Sequence, residues 1–174
     1  MILGLDISTS KVGFALIEKD GSLVTYNLVK YKADAVLEER AEYLMGGLSK
    51  MKKKFEVKHV FVEQPFIAFS GGKTTAVTMA KLQRFNGMCC YGIFRLFGRP
   101  PTLIQANKAR GLVGLKIKRG ENTKTKIIEW AQEAYPEGFT FELTRYGNPK
   151  PGTDDMADAI VIANAGLQLL KEKI

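Results

Sequence analysis

The run TDDMADAIVIANAGLQLL, residues 153–170, constrains the chain more than any other, because it sets three carboxylates on the opening turn of a segment that otherwise has to be buried. At about 100° per residue from Asp155, the polar side chains Asn164, Gln168, Lys171 and Glu172 share one arc. Ala159, Ile162, Ala163, Leu169 and Leu170 share the opposite arc. The spacing predicts a helix that lays its apolar arc on a sheet. Asp155 points into that arc, Asp158 sits at its edge, and Asp154 lies at the border of the polar face, as a helix cap or an outer residue of a site. An ionised carboxylate in an apolar setting is costly unless it is paired or metal-bound. The rest of the chain must supply a reason for two inward acids.

Upstream, short apolar runs at 2–8, 12–19 and 23–29, with Asp20-Gly21 as a hairpin signal, predict an antiparallel three-strand meander. Residues 34–54 turn helical, with acids early and lysines late, as the helix dipole favours. A buried strand at 58–63 leads into a Pro-, Gly- and aromatic-rich loop at 64–72. A long helix at 74–97 follows, stopped by Gly98 and Pro100-Pro101, and then a short strand at 102–105. Residues 107–127 carry Lys108, Arg110, Lys116, Lys118, Arg119, Lys124 and Lys126 against the single acid Glu121. A helix at 122–134 and a polar loop at 135–152 complete the series. The expected fold is one α/β domain over residues 1–174, with a mixed five-stranded sheet: three antiparallel strands first, then parallel additions, and helices on both faces.

The 26 Lys and Arg against 18 Asp and Glu, a net charge of +8, favour a polyanionic partner such as nucleic acid. Cys89 and Cys90 are adjacent in an apolar run, which suggests neither a disulfide framework nor a zinc site and favours a reducing interior. No secretory leader pattern and no run of membrane-span length is evident. A soluble, cytoplasmic protein with no membrane partner is therefore expected.

Two further acids stand where burial is the default. Asp6 lies inside the first strand between Leu5 and Ile7, and Glu63 closes the fourth strand just before a loop. With Asp155 and Asp158 they make four carboxylates from three distant places. Such all-oxygen sites suit Mg²⁺ or Mn²⁺, and two ions about 4 Å apart can promote phosphodiester hydrolysis.

The segments ILGLDIS, VFVEQPF and DDMADAIVIA, in that order, resemble the RuvC family of Holliday junction resolvases, which have the RNase H-like fold. Matched position by position, the resemblance implies that Asp6, Glu63, Asp155 and Asp158 are the metal-binding catalytic acids. It implies Mg²⁺ as the cofactor, with Mn²⁺ able to substitute and two ions per site. It aligns Lys108 and Lys124 with lysines beside the scissile phosphate, Lys124 and Lys126 having a plain backbone-contacting helix start as the other reading. It gives Phe66 a wedging role at the junction, unless Phe66 is a core residue. Lys73, Lys81, Arg84, Lys108, Arg110, Lys116, Lys118, Arg119, Lys124 and Lys126 are the candidate DNA contacts.

The family also implies a homodimer that uses the 74–97 helix. The second half of that helix, FNGMCCYGIFRLF, is apolar almost all round, so a deeply buried core helix is the alternative. The implied activity is endonucleolytic cleavage of symmetrically related strands in a four-way DNA junction. Ser8 stands where bacterial members have Gly, the 135–152 loop is longer, and the Asp154-Asp155 pair resembles viral, phage and mitochondrial versions. Three other functions remain open: a nuclease of the same fold acting on flaps or RNA–DNA hybrids, a DNA-binding module without catalysis, and an actin-like phosphate-binding domain. The last rests on GLDISTSKVG alone, since no second phosphate loop is present.

Overall fold

Alternation along the first strand decides the layering. In β1 (Ile2–Ile7), Ile2, Gly4 and Asp6 project to one face and Leu3, Leu5 and Ile7 to the other. The computed structural model describes residues 1–65 and 75–172 and packs a separate core against each face. β2 (Lys11–Ile17) pairs antiparallel with β1, and β3 (Leu23–Lys30) antiparallel with β2. β4 (His59–Glu63) lies parallel to β1 on its other side, and β5 (Thr102–Ile104) parallel to β4. The order β3-β2-β1-β4-β5 is the mixed five-stranded sheet expected from the sequence.

α1 (Leu37–Lys54) and α2 (Ala76–Phe97) cover the face of Leu3, Leu5, Ile7, Val60 and Val62, to which they bring Leu37, Leu44, Leu48, Phe85, Cys89 and Ile93. α3 (Ala106–Leu112), α4 (Thr123–Ala134) and α5 (Thr153–Lys171) cover the opposite face. There the contact is closer. A Cβ on Gly4 would stand 2.3 Å from the Ala159 carbonyl oxygen, and one on Gly13 2.0 Å from that of Asp155. The α5 backbone therefore rests directly on the strand backbones. Because Asp6 is the register partner of Gly13, this contact brings the first turn of α5 down beside Asp6.

Two sequence expectations change, and two of the alternatives fall. The first helix begins at Leu37, not at residue 34, because Val36 is extended and its N–H donates to the Glu39 carboxylate at 3.0 Å, which caps the helix there. α3 was not expected. With Ala109 as its only buried residue it is too short to show an apolar period. α2 is not a deeply buried helix: Phe85, Asn86, Cys89 and Ile93 form one buried stripe, while Tyr91 and Phe94 are exposed. Asp154 does not cap α5. The cap is Gly152, at a φ of 102°, and the Thr153 hydroxyl donates to the Lys150 carbonyl at 2.8 Å.

Candidate active site

β1 and β4 run parallel, so their C-terminal ends open at the same edge of the sheet, where side chains face a crevice. One step beyond the paired residues Leu5 and Val62, Asp6 and Glu63 stand on adjacent strands. Both point to the α5 face, as their neighbours Gly4 and Phe61 do. α5 then lowers Asp155 and Asp158 onto them, with Asp154 beside. Asp155 is only 8 % exposed. Glu63, Asp155 and Asp158 all come close enough to act on the charge of Asp6.

Each acid responds to that crowding. Burial, and then the charges of Glu63, Asp158, Asp155 and Asp154, push the Asp6 carboxyl well above the usual carboxylate range. Burial also lifts Glu63, with the nearby Arg110 guanidinium pulling the other way. Asp158 is raised to about 7 by burial and by Glu63, again against Arg110. Burial raises Asp155 despite the Lys11 ammonium beside it. Burial acts to raise Asp154 too, but the hydrogen bond and charge of Lys124 outweigh it and hold that carboxyl low.

Three cations offset part of the charge of these five carboxylates. Lys11 forms an ion pair with Asp155, Lys124 pairs with Asp154, and Arg110 Nη2 lies 3.8 Å from Asp158 Oδ1. Sequence reading overlooked Lys11 as a site residue and read Arg110 only as a DNA contact. The signal for Lys11 lies in β2, where Lys11, Gly13, Ala15 and Ile17 alternate onto the α5 face, so that a lysine there faces buried surface. The signal for Arg110 is absent without α3, which turns it inward.

The remaining candidates are distributed more widely. Lys108 is exposed on α3, and Lys116, Lys118 and Arg119 are exposed on the loop between α3 and α4. Lys126 is engaged with Glu129 at 2.8 Å and Glu121 at 3.9 Å. Lys81 and Arg84 are on α2, across the sheet from the acids, and Arg84 pairs with Glu38. Phe66 and Lys73 lie outside the described residues.

Among the described residues no three of the acids close on one point as a ready-made metal cage. The donor set nevertheless fits a hard divalent cation. It offers only carboxylate oxygens, and Asp6, Glu63, Asp155 and Asp158 all have their ionised form disfavoured, which a cation among them would reverse. Such a site can bind a divalent ion together with a phosphate.

No protein-family model matches the sequence. The crossover junction endodeoxyribonuclease RuvC of Aliarcobacter butzleri is 30 % identical over 139 residues, 72 % of this chain and 86 % of that protein. The structure of T. thermophilus RuvC in complex with a Holliday junction substrate superposes with a TM-score of 0.71 at 14 % identity, over 98 % of this chain and 94 % of that one. The yeast mitochondrial Holliday junction resolvase Ydc2 superposes at 0.55 with 14 % identity, covering 98 % and 79 %. The fold is the RNase H-like one that the sequence resemblance implied.

Proposed function

The chain belongs to the RuvC family of crossover junction endodeoxyribonucleases, and from that membership we propose that it resolves four-way DNA junctions by hydrolysing phosphodiesters in symmetrically related strands. The observation that most supports this reading is the meeting of Asp6, Glu63, Asp155 and Asp158 from three separate segments of a basic chain. Nucleases of this family are metal-dependent. The four acids would hold two Mg²⁺ ions, or Mn²⁺ in their place. When bound, such ions supply the positive charge that activates water and steadies the leaving oxygen.

The protein's own groups orient and neutralise. Asp6, central to the cluster, would hold the ions together with Glu63, Asp155 and Asp158. Lys11 and Arg110 hold Asp155 and Asp158 in place. Lys124, 73 % exposed at the rim, exchanges Asp154 for the scissile phosphate, and Lys108 approaches the same strand from α3. Arg110, Lys116, Lys118, Arg119 and Lys126 add positive charge along the DNA path, Lys81 and Arg84 meet an arm near α2, and Lys73 is a further DNA contact. Phe66 wedges the branch point.

Two copies associate through the face of α2 that exposes Tyr91 and Phe94, presenting two sites to the two-fold symmetry of a junction. The chain acts as a single nuclease domain in the cytoplasm. No helix among the described residues is long and apolar enough to cross a membrane.

Incubation of the protein with a labelled four-way junction and Mg²⁺ is expected to give symmetrically placed nicks. Asp6→Asn is expected to abolish them while sparing junction binding. Cleavage by that variant at the parental rate would refute the site. Parental preference for flaps or RNA–DNA hybrids over the junction would refute the substrate.

A further inference from the structure

Residues 142–150 form a small hairpin that plays no part in the proposed reaction. Its base is tied to β3, where the Tyr26 hydroxyl donates to the Thr140 carbonyl at 2.6 Å and accepts from the Thr140 N–H at 2.8 Å. Lys150 N–H then donates to Glu142 O at 2.9 Å, and Leu143 bridges Pro149. Thr144 N–H donates to Asn148 O at 2.7 Å, and Gly147 N–H to Thr144 O at 3.0 Å, with Gly147 at a φ of 78° that favours glycine. Two residues past the hairpin, Gly152 opens α5 and its acid-bearing turn. The hairpin is thus anchored beside β3 and joined to the start of α5 through the Lys150 carbonyl, which accepts from the Thr153 N–H at 3.1 Å and from the Thr153 hydroxyl at 2.8 Å.

Its tip carries an unusual pair. Tyr146 is 74 % exposed. The Arg145 guanidinium lies over the Tyr146 ring, 4.6 Å from its centroid, and donates to its hydroxyl. One face of the ring is therefore backed by a cation and the other faces solvent. The nearest hairpin acid, Glu142, is already paired with Lys150, so the tip stays positive. A flat ring beside a fixed positive charge complements a ligand that offers a π-face next to an anion. A nucleotide has both.

We propose that this tip is a DNA-contacting element, in which Tyr146 stacks on a base unpaired at the branch point and Arg145 engages the adjoining phosphate. The proposal rests on the nuclease reading above for the identity of the nucleic acid, but its geometry is independent of the acid cluster.

The test measures binding in the Asp6→Asn background to a labelled four-way junction, a single strand and a linear duplex. Tyr146→Ala is expected to weaken junction and single-strand binding by about tenfold or more, within the range of a base–aromatic stack, and duplex binding by no more than about twofold. Tyr146→Trp is expected to bind like the parent. A 2-aminopurine placed at the branch point should change fluorescence with the parent and not with Tyr146→Ala. Because the ring has no core contacts, the melting temperature should not move. Parental affinity and fluorescence response in Tyr146→Ala overturn the proposal while leaving a junction-preferring parent intact as a resolvase. Conversely, a parent without junction preference whose single-strand binding still depends on Tyr146 overturns the substrate reading and keeps the hairpin assignment.

Discussion

The two faces of the sheet are packed by different means. Under α5 the strands present Gly4 and Gly13, and helix backbone meets strand backbone with no side chain between. Under α1 and α2 the space is filled by Leu44, Leu48, Phe85 and Ile93, and where α2 meets α1 a Cβ on Gly92 would stand 2.5 Å from the Met45 side chain, not from backbone. Backbone contact leaves no soft atoms to absorb a change, whereas a side-chain core can repack. The face that bears the acids is built for position and the other for stability.

The largest effect should come from the acids themselves, and it distinguishes neighbours on one turn. Asp155→Asn should lower the cleavage rate by about a hundredfold or more, the scale of losing a charge aimed at the reacting centre. Asp154→Asn, whose partner is the exposed Lys124, should cost less than about tenfold. The reverse order in single-turnover assays would mean that the turn faces the other way.

Gly13→Ala should come next. Its added methyl meets the Asp155 carbonyl, so cleavage per folded molecule should fall by up to about a hundredfold, with about 1–3 kcal/mol of stability lost to overpacking. Leu44→Ala on the other face is the counterpart. It should cost about 2–5 kcal/mol in denaturant melts yet leave cleavage per folded molecule near parental. Equal activity loss in both variants would erase the distinction between the faces.

Acidity and metal probe the same difference. Asp158 titrates near 7 in the folded protein against about 4 when unfolded, so the folded state binds the extra proton between those values. Its contribution to stability therefore falls as pH rises through that window. Asp6, Glu63 and Asp155 shift in the same direction, and Asp154 opposes them. In EDTA the melting temperature should be higher at pH 5 than at pH 7.5, Mg²⁺ at pH 7.5 should narrow the gap, and Asp158→Asn should flatten the profile. The smallest effect should be a gain: Gly47→Ala, inside α1 with open space around it, should stabilise by about 0.5–1 kcal/mol and leave cleavage unchanged.

Much of this is legible in the sequence alone. Strand alternation and helical period are local, so β1 to β5, four of the five helices, the two-sided layering and the inward aim of Asp155 could be read from the sequence. α3 could not, because a seven-residue helix with one buried residue carries no period. The sequence left α2 between a contact face and a deeply buried helix, since its composition does not say which apolar residues find a neighbour.

The sequence by itself determined which acids exist and on which face of its own strand or helix each stands, because a side chain's direction follows from the backbone period around it. Only the tertiary structure decided that Lys11 answers Asp155, that Arg110 answers Asp158 and Lys124 answers Asp154, and that the chain entering the 142–150 hairpin is tied to β3. Those pairings depend on how far α5 descends onto Gly13 and on where α3 and α4 come to rest against it. Such distances are set by packing between segments remote in the chain, which no local pattern records.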